Sequence, residues 1–518
     1  MDILLLTTPT QHSKINSSVE LNIKQLKNWV DKLSLDNVFL VVKSLQNKIE
    51  AFNEIQLNDA SRLKLLEVYW DALESITFLY DNKRLDMLPI KQQEKNLLAE
   101  DIMWLYMTLA NGYKTIIINS FNRNINPKND HVLQTSLLRA FELLIQAAIY
   151  AYCGHKSVPP LVYLEINQIY SYMESFKCLD LKIKTRNTQN SINSLYKQFM
   201  FISIIDPYCI NEDDIFLSQY VLNNFLKHIE IKIDENCTSS NGWYLVDLNE
   251  DNSPISCGKV SNRRLLPSVR LININKILKM ISSWVDEKKS TKIDAFELSD
   301  IQILERLLSI FNSDRIRIEK RASINKDVRV AIGIKSISYF LSSIDNILKE
   351  YSDKTPTQFN KDKFTLQKWI LKDECNQGRK LSIPCDNLNN SIPIGELVGI
   401  IDTMKSDSGF HPVIVIGIIR WKRNVDNNLN IGVEIIPGNP RYANRIVSND
   451  TKILHPGIYI PAEDILSRPP ALVIEKEAYQ EKKLLNVTIK DKTQLIQMGV
   501  IFTESPLYVQ CEFCISNA

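Results

Sequence analysis

Apolar positions recur every three or four residues over roughly the first 230 residues, which is the period of helices packed on one face. In "SLDNVFLVVKSLQNKIEAF", Val38, Val41, Val42, Leu45, Ile49 and Phe52 line one stripe behind a Ser34/Asp36 capping signal. Asn58 or Asp59 caps the next helix, whose stripe runs through Leu63, Leu66, Tyr69, Leu73 and Ile76 with Arg62 on the polar side. The same period predicts helices over about 92–119, 131–153, 160–175, 190–205 and 213–229, without a strict repeat length. From about 231 the pattern alternates apolar and polar, and "IEIKIDENCTSSNGWYLVDLNEDNSPIS" predicts a short hairpin. Helical spacing returns over 272–312.

Beyond that the texture is β. "DVRVAIGI", "FTLQKWILK", "RKLSIP", "IGELVGIID", "HPVIVIGIIRWKR" and "LNIGVEIIPG" are short runs between turn signals, the pattern of a small antiparallel barrel. A helix, "KSISYFLSSIDNILKEY", is inserted after the first of them, and strands resume past 450 as a second small β unit. The fold class expected is α+β: a helical docking array over 1–230, a connector over 231–310, a barrel over 311–445 and a β-rich extension over 446–518.

Length and composition agree with this division. A chain of 518 residues exceeds what one core supports, and 44% hydrophobic with 24% charged residues is ordinary for folded domains. A net charge of +2 without a block of like charge gives no default attraction to nucleic acid. The longest apolar segment, "LLRAFELLIQAAIYAYCG", is interrupted by Arg139, Glu142 and Gln146, so it reads as a buried helix and not a membrane insertion. Asp2 stands where a secretory signal carries basic charge, and nine scattered cysteines suit a reducing, cytoplasmic setting.

Enzyme signatures are missing: the sequence has no phosphate-binding glycine loop, no nucleophile elbow and no H-E-x-x-H. Cys511-Glu-Phe-Cys514 has metal spacing but no second pair or nearby histidine, and "YVQCEFCIS" reads as a strand. The expectation is a binding protein without catalysis, metal or cofactor.

One constellation does carry ligand chemistry. Arg317 and Arg321 form an R-x-x-x-R pair ahead of the first barrel strand. Two guanidinium groups at that spacing can grip one planar anion, offering forks to phosphate oxygens or a guanine edge and flat faces for stacking. "LKDECNQGRKL" places Asp373, Cys375 and Gly378 as D-x-C-x-x-G at a strand end. Acid and thiol share a face of extended backbone, and the glycine admits close approach. Singly these are ordinary features: either arginine could pair with Asp314 or Glu319 on a wet surface.

Taken together, R-x-x-x-R before one strand and D-x-C-x-x-G at the next resemble the signature of PilZ domains, bacterial receptors for cyclic di-GMP. "VIVIGIIRWKRN…LNIGVEII", with Gly417, Arg420, Trp421, Gly432 and Glu434, is similar to the closing strands of that domain. The resemblance covers about 311–445 and implies cyclic di-GMP as ligand of Arg317, Arg321, Asp373, Cys375 and Gly378, at the barrel mouth. It implies an output in motility, biofilm or other surface behaviour through protein partners of the helical array. Cys375 stands where the family has serine and is a poorer hydrogen-bonding group, so a second reading is an adaptor that no longer takes nucleotide.

Overall fold

The computed structural model describes residues 3–13, 19–33, 37–81, 92–186, 188–234, 242–259, 265–289, 295–312, 321–342, 366–388, 392–406, 409–448, 454–462, 468–481, 484–489, 492–505 and 507–515. The chain divides into two compact units, Met1–Arg315 and Ile316–Ala518.

The first unit is built on α1 (Ile23–Val30), α2 (Val38–Asn53), α3 (Asp59–Asp81), α4 (Gln92–Asn122), α5 (His131–Cys153), α6 (Val162–Ser175), α7 (Ile192–Ile204) and α8 (Glu212–Leu222), with a two-residue ladder β1 (Ile183–Lys184)–β2 (Gln189–Asn190) before α7. Local chemistry sets the helix starts. Asn37 caps α2 by accepting from the Leu40 N–H, and Asn58 caps α3 by accepting from Ser61. Residues 34–36 lie outside the described residues, so the cap seen on α2 is Asn37. The predicted stripe of α2 is buried throughout: Val38, Val41, Val42, Leu45, Ile49 and Phe52. α5 is long and apolar enough to cross a membrane, yet 78% of its apolar window is buried inside the protein.

Arg62 departs from its expected polar position. It is fully buried, donates Nη2 to the Ile55 carbonyl, and lies with its guanidinium 5.2 Å from the Phe52 ring centre. Burial pulls its pKa down to about 10, against Asp59, which raises it. The side chain sits one turn from the helix start, where it ties α3 to the turn after α2; spacing alone could not show that neighbour.

Residues 231–310 pack within this unit. β3 (Glu230–Lys232), β4 (Trp243–Asp247), β5 (Ile255–Ser256) and β6 (Val269–Asn273) form an antiparallel sheet ordered β3-β6-β4-β5, larger than the expected hairpin. Val246 and Ile272 from this sheet and Leu248 and Ile274 just past its strand ends, with Ile277 and Ile281 from α9 (Asn275–Lys289), join the helical core, as does α10 (Ala295–Asn312) through Ile301 and Leu304. The loop after β4 also caps a helix. Asp251 accepts from the Leu161 and Leu164 N–H groups at 2.6 and 3.1 Å, while Leu161, with φ 71°, gives α6 no cap of its own.

The second unit contains two closed antiparallel barrels. The first comprises β7 (Ala322–Ile332), β8 (Gln367–Cys375), β9 (Gly378–Pro384), β10 (Leu397–Ser406), β11 (Gly409–Val425) and β12 (Asn428–Ile435), ordered β10-β11-β12-β9-β8-β7 and closed by β7 on β10. Trp369, Leu371, Leu381, Ile383, Ile431 and Val433 fill it. The hairpin between β11 and β12 turns on Asp426 and Asn427, both at positive φ, the backbone a tight hairpin demands. The second barrel comprises β13 (Arg441–Ser448), β14 (Leu454–Ile460), β15 (Ala471–Glu475), β16 (Leu484–Ile489), β17 (Lys492–Glu504) and β18 (Tyr508–Ile515), ordered β13-β14-β15-β18-β17-β16. Closure leaves neither barrel an unpaired edge.

The inserted helix explains how one unit holds two barrels. α11 (Ile334–Ser342) follows β7, and its Ile334, Ile337, Phe340 and Leu341 share a core with Leu397 and Ile416 of the first barrel and Ile458 and Val473 of the second. Lys335 pairs with Glu475 at 2.9 Å, and the Ser338 hydroxyl donates to the Gly457 carbonyl. The helix is thus a wedge between barrels; its predicted continuation past 342 lies outside the described residues.

Candidate functional site

Three strands position the predicted constellation. β8 and β9 form a tight hairpin in which Asp373 lies opposite Lys380, Glu374 opposite Arg379 and Cys375 opposite Gly378. β12 continues the sheet, with Gly432 opposite Lys380 and Glu434 opposite Gly378. Paired residues share a face, and alternate residues point the other way. Since Leu381, Ile431 and Val433 fill the interior, Asp373, Cys375, Gly378, Lys380, Gly432 and Glu434 occupy the outer face of the wall. The motif resemblance implies a ligand at the barrel mouth, whereas Asp373, Cys375 and Gly378 lie on the outside of the sheet.

Arg321, immediately before β7, reaches across this face. Its Nη1 donates to Asp373 Oδ1 at 2.7 Å, and both side chains keep about a quarter of their surface in solvent, 22% and 25%. The guanidinium lies over Gly378: a Cβ built there would stand 2.9 Å from Arg321 Nη2 and 3.4 Å from the Val433 carbonyl oxygen. Gly378 therefore matters for the space above it, since no side chain fits beneath the arginine without moving it. Arg317 lies outside the described residues. Cys375 is half-buried beside this pair.

Charged residues that motif reasoning passed over lie around this surface, with Glu374 and Arg379 on the opposite side of the hairpin. Glu374 and Arg379 form an ion pair at 2.9 Å, with Arg379 also donating to the Cys375 carbonyl, which stiffens the hairpin tip. Lys380 adds a cation directly across from Asp373, and Arg420 pairs with Glu434. Lys380 was legible as the second residue after Gly378; the Arg420–Glu434 pair needed the register of β11 on β12. Trp421 lies flat on Gly432, where a Cβ would stand 1.9 Å from the indole Nε1. Gly432→Ala is expected to fold with about 1–3 kcal/mol less stability, because the indole must lift from the sheet. Thermal denaturation followed by tryptophan fluorescence measures it, and an unchanged midpoint and spectrum would contradict the packing described. Trp369, by contrast, is fully buried in the barrel core.

No group of three or more His, Cys, Asp or Glu side chains able to hold a metal ion occurs among the described residues. Cys511 is fully buried and Cys514 exposed on β18, and burial pushes the Cys511 thiol up to about 12, so the pair behaves as strand residues.

The arrangement can hold an anion with guanidinium and ammonium donors beside a carboxylate that accepts N–H groups, on a flat open surface. Comparison with known proteins gives matches at the other end of the chain. Residues 24–235 match the family profile of the cyclic-di-GMP receptor FimW, N-terminal domain. The chain is also 20% identical over 360 residues to the cyclic-di-GMP receptor FimW of Pseudomonas aeruginosa. That likeness covers 65% of this chain, more than the first unit alone can supply, and 56% of the relative, so the chain spans little over half the length of the protein it matches.

Proposed function

We propose that the protein is a non-catalytic cyclic di-GMP effector that takes the nucleotide on the outer wall of its first, PilZ-like barrel. The observation that carries this reading is the Arg321–Asp373 pair held over Gly378. The likeness of the helical half to a receptor for the same nucleotide supports it independently, because the matched residues 24–235 share nothing with the barrel motif. In this reading Arg321, joined by Arg317, meets phosphate or a guanine edge; Asp373 turns an oxygen toward guanine N–H groups; Cys375, Gly378 and Lys380 line the phosphate side. Because Arg317 and Arg321 stand in sequence between α10 and the barrel, ligand contacts there would bias what the helical array docks on in the cytoplasm, a population shift driven by differential contacts. Motility or biofilm behaviour is the output that fits such a receptor. Isothermal titration of the full chain with cyclic di-GMP tests it: saturable heat is expected, and none at tens of micromolar ligand overturns it.

A second reading, an adaptor that has lost the nucleotide, is favoured by one residue. Cys375 offers the ligand a thiol where a hydroxyl would bond a phosphate oxygen. Cys375→Ser is expected to tighten binding about tenfold, the value of one hydrogen bond to a charged group. A native chain that binds nothing beside a serine variant that binds would establish the adaptor reading.

A further inference from the structure

The segment that precedes α1 is held in a socket more specific than packing requires. Residues 3–12 run extended over α4 and α6. Leu4 is buried, whereas Ile3 and Leu5 face solvent. The Leu5 N–H donates to Gln168 Oε1 at 3.3 Å. The Thr7 N–H and hydroxyl both donate to Glu165 Oε1, at 2.7 and 2.5 Å. Lys114 Nζ donates to both Glu165 oxygens, at 2.8 and 2.7 Å, and to the Thr7 hydroxyl at 3.0 Å. Farther along, His12 bridges the turn after α2, its N–H donating to the Glu54 carbonyl and its carbonyl accepting from Gln56.

Two features lower the cost of releasing this contact. The socket is an ion pair at 0% and 1% side-chain exposure, and Thr7, itself exposed, hydrogen-bonds to both of its members. A covered ion pair forgoes hydration, so leaving the groove returns water to Lys114 and Glu165 and offsets part of the hydrogen bonds lost. Within the segment, Gln11 Nε2 is buried with no hydrogen-bond partner among the described residues, a further cost that departure relieves. Recognition also rests on main-chain N–H groups, one aliphatic anchor and one hydroxyl three residues later, features another extended segment can present.

We propose that the α4–α6 groove is a docking site for an extended peptide with a leucine-type anchor followed three positions on by a threonine or serine, and that residues 3–12 are its built-in, displaceable occupant. The incoming partner is a protein segment of that chemistry, and its hydroxyl lies against Glu165 and Lys114 as Thr7 does. The inference stands on the helical unit alone and is independent of nucleotide binding.

The test uses the full chain with Leu4→Ala and Thr7→Val, which loosen the occupant, and a fluorescently labelled peptide of residues 3–12. Fluorescence anisotropy should show saturable binding to the variant and at least about tenfold weaker apparent binding to wild type, where the resident segment competes. A peptide carrying the Thr7→Val change should bind about tenfold or more weakly. No uptake by a variant whose circular dichroism and melting match wild type overturns the proposal. Should the variant not fold, hydrogen exchange in wild type decides: the Leu5 and Thr7 amides should exchange through local opening while α4 and α6 stay protected. Exchange of those amides only with global unfolding overturns it.

Discussion

Arg321→Ala is expected to lower affinity for cyclic di-GMP about ten- to hundredfold while leaving the barrel folded, if the nucleotide binds as proposed. The magnitude is that of one or two charge-assisted hydrogen bonds, about 1.5–3 kcal/mol. The fold should survive because the arginine stands outside the barrel core, before β7, and its pair with Asp373 is open to water; such pairs contribute little to stability. The substitution also leaves the Asp373 carboxylate without the Arg321 counter-charge, so its negative charge near the anion is uncompensated by that partner. Arg321→Lys should therefore recover only part of the affinity, since an ammonium restores charge but not the planar fork. Titration calorimetry of the three proteins, with thermal melts beside it, separates the cases. Equal affinities for wild type and Arg321→Ala would remove Arg321 from the site and with it the wall as binding surface.

The largest effect on stability should come from Glu165→Ala in the helical unit. Lys114 is wholly buried, and Glu165 is its counter-charge. Burial drives the Lys114 pKa down, and Glu165, by charge and hydrogen bond, pushes it back up. Removing the carboxylate leaves an ammonium in the core with, among the described residues, the Thr7 hydroxyl as its hydrogen-bond partner, at a cost of about 3–5 kcal/mol. Against total stabilities of about 5–15 kcal/mol this is a severe loss. Replacing both partners, Lys114→Met with Glu165→Leu, should recover most of it, because the desolvation of two charges vanishes together with their attraction. Urea unfolding of the single and double variants checks the order. A single variant as stable as wild type would mean that the ion pair is not sealed from water.

The two effects fall on opposite halves of the chain and were unequally visible beforehand. The placing of Asp373, Cys375 and Gly378 on one hairpin is legible within six residues, because a strand end, an alternating face and a glycine are local facts. The Lys114–Glu165 pair lies 51 residues apart on α4 and α6, in stretches whose helical period assigns charged residues to the solvent side. Arg62 misleads in the same way. A polar residue at a helix start is ordinarily wet, and its burial follows from the turn after α2 folding back over it. Trp421 on Gly432 shows the intermediate case: both residues stand out in sequence, and their contact depends on the register of β11 against β12.

By itself the chain's pattern determined the kinds of elements and their order: helices through the first part, then short strands broken by turn residues, with an inserted helix and a β tail. Periodicity records which face of each element is apolar, and that information is local. The tertiary structure alone decided that residues 231–310 pack with the helices, that the tail closes into a second barrel, that α11 is the wedge between barrels, and that Arg321 crosses to Asp373 over Gly378. Each of these depends on which distant surfaces meet, and a one-dimensional pattern is the same whichever partner an apolar face finds.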